Sequence, residues 1–148
     1  MNRQLAFALA LSALGTLAHG AGAQNGANTA PEAPACLKYQ PESVQLVGHL
    51  ERLTFPGGPN FKSVSGGDTP EDAFYLRLAH PVCTMPDGTN QAKTDVTLLQ
   101  LIADTAKLRF MADKEVVVHG TLLPASSGHH HTPVILMPAM PLTLYKAP

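Results

Sequence analysis

The chain is expected to fold as a mainly β domain, a small OB-like five-stranded Greek-key barrel with one short helix between strands three and four. Three observations lead there. Three stretches place apolar residues at every second position, the period of a strand with one buried face, and two more apolar stretches, Val96 to Ile102 and Val134 to Leu144, read as strands. The stretch between the third and fourth is rich in alanine, lysine, leucine and arginine and spaces its apolar residues as a helix does. The first and fourth strands echo each other, Val44-x-Leu46-x-Gly48-x-Leu50 against Val116-x-Val118-x-Gly120-x-Leu122. Matching glycine kinks suit two strands that bend alike in a closed sheet, and closure removes exposed edges. An open β-sandwich, the competing architecture, has no particular use for the helix.

Taken in order, the first strand covers Ser43 to Phe55, with Val44, Leu46, Gly48 and Leu50 on one face and Gln45, His49 and Glu51 on the other. A turn-rich loop from Pro56 to Asp72 follows, holding Gly57-Gly58-Pro59-Asn60 and Gly66-Gly67-Asp68. Phe74, Leu76 and Leu78 mark the second strand, which Pro81 is expected to end. A loop from Met85 to Asn90 leads to the third strand, Val96 to Ile102. Asp104 caps a helix running to Met111, with Ile102, Ala106 and Phe110 on its shared face. The fourth strand is Glu115 to Leu122. A loop from Pro124 to Pro133 carries Ser126, Ser127, Gly128 and three consecutive histidines, His129, His130 and His131. The fifth strand, Val134 to Leu144, contains Pro138 and Pro141, which belong at an edge or in irregular backbone.

The N-terminus has the three parts of a secretory signal peptide: Arg3 near the start, an apolar run from Leu5 to Ala18, and an A-x-A end at Ala21-Gly22-Ala23. The apolar run is short for a membrane span. The expected organisation is a signal peptide over 1–23, a flexible leader over 24–35 and one β-barrel domain over 36–148. The chain then works outside the cytosol, in a bacterial periplasm or secreted. Two cysteines, an even count in an exported chain, predict one disulfide between Cys36 and Cys83. Of 10 Lys+Arg residues Arg3 leaves with the signal, so 9 stand against 11 Asp+Glu, a net charge of −2. That balance, with no basic patch, argues against nucleic acid or an anionic membrane surface as partner.

The pieces Cys36-Leu37-Lys38-Tyr39-Gln40-Pro41, Val44-x-Leu46-x-Gly48-x-Leu50, Phe55-Pro56-Gly57-Gly58-Pro59-Asn60-Phe61, Gly67-Asp68, Leu76-x-Leu78-x-x-Pro81-Val82-Cys83 and Gly128-His129-His130-His131-Thr132-Pro133-Val134 occur in this order. Together they resemble an uncharacterised family of small exported bacterial domains, a domain of unknown function. The resemblance spans roughly Cys36 to Leu136. Members stand alone or follow a lysozyme-inhibitor-like domain of the LprI type, which implies work in the cell envelope and supplies no activity. The chain departs from the family pattern in reading Gly120-Thr121-Leu122-Leu123 where phenylalanine usually closes the run, and Ser127 where threonine usually precedes Gly128.

In an OB-type barrel, the loops after the first and fourth strands flank the ligand face. Asn60, Asp68, His129 and His131 are therefore expected to converge at one end as ligand-binding residues. His129, His130 and His131 permit a zinc, copper or nickel site, with Asp68 as a further ligand or an orienting group. His129 and His131 point the same way and His130 the other if the segment is extended. No second spaced His/Cys group accompanies them. His49 and His119 lie on the polar phase of the echoing strands and are neighbours if those strands pair so. The Pro56–Asn60 run lacks the Gly-Lys-Ser/Thr of a phosphate loop and reads as a tight turn. Ser126 and Ser127 have no nucleophile elbow and no identifiable orienting acid. The sequence thus favours a secreted, non-enzymatic binding module for an envelope protein or a small ligand. A periplasmic metal-binding protein using the histidine loop is the alternative, and a hydrolase ranks below both.

Overall fold

A computed structural model describes residues 36–147. The expected signal peptide and leader lie outside these residues. The five expected strands form among the described residues: β1 (Ser43–Pro56), β2 (Pro70–Thr84), β3 (Lys93–Leu101), β4 (Lys114–Pro124) and β5 (Val134–Leu144). Among the described residues the one α-helix, α1 (Thr105–Leu108), sits between β3 and β4. The sheet closes on itself in the order β1-β2-β3-β5-β4. All pairs are antiparallel except β3 with β5, which is parallel. This is the OB-like Greek-key barrel that the sequence predicts.

The inward phase of each strand fills the barrel. Leu50, Leu76, Leu99, Val116, Val118, Leu122 and Leu136 are all fully buried in one core. Both repeated glycines mark close backbone approach: a Cβ at Gly48 would meet the Arg77 carbonyl oxygen at 2.5 Å, and one at Gly120 the Met137 carbonyl oxygen at 2.3 Å. Neither position has room for a side chain.

Three expectations need correction. Pro81 does not end β2. The strand continues to Thr84 because the β2–β3 register shifts between Arg77 and Val82, and at such an irregularity a proline withholds no ladder hydrogen bond. The helix is a single turn followed by a 3-10 turn over Arg109–Met111. Asp104 does cap it, accepting from Ala106 N–H at 2.9 Å. Its buried residue is Leu108, which joins the barrel core, whereas Ile102 and Phe110 are exposed. One turn is too short for a four-residue apolar period to set the buried face. Finally, β1 and β4 do pair, but their antiparallel register sets His119 opposite Gln45 and His49 opposite Glu115. The two rings are four residues apart along the strands.

The predicted disulfide is formed between Cys36 and Cys83. It lays the entering segment against the end of β2, where Leu37 N–H donates to Cys83 O and Met85 N–H to Leu37 O, both at 2.8 Å. Tyr39 then drops into the core and receives the Thr84 hydroxyl at 3.1 Å. Among the described residues no helix is long and apolar enough to cross a membrane.

Candidate functional site

β1 pairs with β4 only as far as Leu50, and β2 pairs with β3 only from Tyr75 onward. Residues 52–56 and 70–74 consequently pair only with each other, as an arm that outruns the barrel wall. Strand alternation gives this arm two faces. Phe55 and its cross-strand partner Glu71 occupy one; Arg52, Thr54, Asp72 and Phe74 occupy the other. The loop closing the arm, L12 (57–69), and the loop between β4 and β5, L45 (125–133), meet on the Phe55–Glu71 face.

L12 is organised by Asp68. Its buried carboxylate accepts Asn60 N–H and Lys62 N–H at 2.7 Å and Ser63 N–H at 2.9 Å. Hydrogen bonds from Ser63, Lys62 and Asn60 hold its pKa below the usual aspartate range. These donors bracket Phe61, whose φ of 56° lies in the left-handed region. Such a conformation in a bulky residue costs about 1–3 kcal/mol and persists only where the surroundings impose it. The Asp68 carboxylate is what imposes it here.

L45 is fastened by Gln100, a buried residue on the outer face of β3. Its Nε2 donates to His129 O at 3.0 Å and its Oε1 accepts His131 N–H at 2.8 Å, so one side chain replaces a strand partner for the loop. Gln100 N–H donates to the Thr132 hydroxyl at 2.9 Å, which itself donates to Val134 O at 2.7 Å. Beside Gln100 in the same cross-strand row lies Tyr75, fully buried although it points away from the barrel core.

Between the loops, one carboxylate bridges two imidazoles. Glu71 Oε1 lies 2.7 Å from His129 Nδ1, and Glu71 Oε2 lies 3.1 Å from His131 Nε2. An ionised carboxylate only accepts, so each facing nitrogen carries its hydrogen. Burial pushes the Glu71 carboxyl up, but the bonds from His129 and His131 together outweigh it, and its pKa falls below the ordinary glutamate value. The His131 ring stacks on Phe55, with centroids 4.9 Å apart and planes at 9°. The His129 ring stands edge-on to Phe61 at 5.0 Å. Gly128 supports this contact, since a Cβ there would fall 2.8 Å from the Phe61 ring. His131 is enclosed, with 7% of its side chain exposed, while His129 presents 62% to solvent.

The expected site residues therefore separate. His129 and His131 turn to one partner, and His130 turns away to accept Ser126 N–H at Nδ1, 2.9 Å. A turn at Gly128–His129 causes the division, rather than an extended strand. Asp68 meets none of the histidines; its carboxylate is spent on its own loop. Asn60 stays exposed beside it. Among the described residues no group of three or more His, Cys, Asp or Glu is gathered closely enough to hold a metal ion. The expected trio does not converge, because His130 Nδ1 is taken by the backbone and the other two rings flank Glu71 from either side.

Sequence reasoning missed Glu71, Gln100 and the two phenylalanines. No sequence signal pointed to them, because the register that sets Glu71 opposite Phe55 is decided by the fold. Residues 98–137 match a family described as Domain of unknown function (DUF4431). The matched segment holds Gln100, the three histidines and Thr132. No curated protein and no solved structure matches the chain.

Proposed function

We propose that the chain is an exported, non-enzymatic binding module that engages an envelope protein or small ligand with the rim formed by L12 and L45. The supporting observation is the meeting of the two OB-type ligand loops: Glu71 at the start of β2 holds His129 and His131 of L45, and the His129 ring stands edge-on to Phe61 of L12. Around it the rim displays Asn60, a partly exposed Phe61 and the open imidazole of His129. One strained aromatic, an amide and an imidazole suit a neutral polar ligand or a protein surface. They do not suit a polyanion, which needs clustered arginine and lysine. The disulfide fits an oxidising compartment outside the cytosol.

A non-enzymatic role is supported by how the reactive groups are engaged. His129 and His131 face one carboxylate, His130 Nδ1 receives a backbone N–H, and both cysteines are bridged. Ser126 Oγ stands 3.5 Å from His130 Nδ1, and among the described residues no carboxylate pairs with that ring. The metal-binding alternative has less support, because its ligand set would have to be rebuilt from Glu71, His129 and His131 with both facing protons displaced.

The test is capture from envelope extract by the immobilised exported chain, alongside an Asn60→Ala, Phe61→Ala, His129→Ala triple variant. A protein or small molecule retained by the wild type and lost by the variant is the expected result. Equal retention by both, or by neither, overturns the proposal. Calorimetric titration with zinc, copper and nickel separates the alternative: saturable binding abolished by His129→Ala with His131→Ala favours a metal protein.

A further inference from the structure

The second face of the arm borders a cleft that the rim does not use. It lies between β1–β2 and the α1 segment, encloses about 320 Å³, and is lined by Arg52, Asp72, Ala73, Phe74, Thr105 and Arg109. Its charges do not balance. Asp72 is the one carboxylate in the lining, and both of its oxygens are engaged: Oδ2 by an Arg52 nitrogen at 2.6 Å and Oδ1 by the Thr54 hydroxyl. Those bonds, Thr54 first and then Arg52, hold the Asp72 pKa below the usual carboxylate range. Arg52 uses a single nitrogen in that pair. Arg109 has no ion-pair partner among the described residues. Two guanidinium groups against one carboxylate leave a net positive charge, with several N–H donors free to form forked bonds. Phe74, a core residue 5% exposed, supplies an apolar part of the lining, and Thr105 a hydroxyl.

We propose that this cleft is a second binding site, for a small molecule bearing a phosphate or carboxylate group on an apolar body. The oxyanion would take the Arg109 fork and the spare Arg52 donors, and the apolar body would lie against Phe74. The site is separate from the L12–L45 rim, because strand alternation sends Arg52, Asp72 and Phe74 to the side of the arm opposite Phe55 and Glu71.

The experiment is an NMR titration of the exported chain with phenyl phosphate, with inorganic phosphate and benzyl alcohol in separate arms. Saturable shifts confined to Arg52, Ala73, Phe74, Thr105 and Arg109 are expected, with phenyl phosphate binding tighter than either fragment. Arg109→Gln should weaken binding about tenfold or more, the loss expected for a charge-assisted pair. It should keep the melting temperature, because Arg109 is exposed and unpaired. Asp72→Asn should strengthen binding by removing the competing carboxylate, which a merely structural role would not produce. His129→Ala should change nothing. Shifts that never saturate, that spread over the whole surface, or that survive Arg109→Gln unaltered would overturn the assignment.

Discussion

Replacing both cysteines with serine tests the covalent closure of the domain in magnitude as well as direction. Cys36 and Cys83 are 47 residues apart. Releasing a loop of that length returns chain entropy to the unfolded state worth about 4 kcal/mol at room temperature. The unfolding entropy of a domain of this size is about 2.1 cal/mol/K per residue, so the melting temperature should fall by about 15 °C. Tyr39 gives the change a local signature, because the bridge delivers it to the core at 3% exposure. Once the bridge is gone, the Leu37 and Met85 amides should exchange with solvent well before the β4 amides. Calorimetric melting of the oxidised chain against Cys36→Ser with Cys83→Ser reads the first effect, and hydrogen exchange reads the second. A drop below about 5 °C, with Leu37 and Met85 still protected, would show that strand pairing alone holds the entering segment.

Three further outcomes follow from single residues. The Glu71 carboxyl has a lower pKa folded than unfolded, so its contribution is complete above its ordinary value of 4.5 and is lost as pH falls through the folded value. Glu71→Gln should therefore make the decline of melting temperature below that pH shallower, at a neutral-pH cost of about 1 kcal/mol; an acid limb as steep as wild type refutes the clamp. Tyr75 has a buried hydroxyl with no protein partner among the described residues, and burial followed by the Glu71 charge raises its pKa to about 12. Tyr75→Phe should leave the melting temperature equal or higher, whereas a clear loss means that the hydroxyl is satisfied. Gly120→Ala forces a Cβ to within 2.3 Å of the Met137 carbonyl oxygen and should cost about 1–3 kcal/mol in denaturant unfolding, with unchanged stability as the refuting result.

The fold was legible because its determinants are periodic. Val44, Leu46 and Leu50 on β1, and Val116, Val118 and Leu122 on β4, announce strands and buried faces by spacing alone. Gly48 and Gly120 announce the close approaches. The disulfide followed from a count of two. The helix was legible as an element, and Asp104 as its cap, but the buried residue was not. A helix of Thr105–Leu108 followed by a 3-10 turn has no sustained period to read, and packing against the barrel core selected Leu108.

The candidate site divides in the same way. The sequence alone determined that two loops of unusual composition exist, that three histidines stand in one of them, and that the closed sheet would bring the loops to one end. Only the tertiary structure decided which groups meet. Asp68 looked available in the sequence, yet three N–H groups of its own loop consume it. Glu71 looked like one more charged residue of the turn-rich loop before the second strand, yet the hairpin register sets it opposite Phe55 and against His129 and His131. The physical reason is range: strand periodicity is written in neighbours two residues apart, whereas the contact of Glu71 with His129 crosses 58 residues and depends on the closure of the whole barrel.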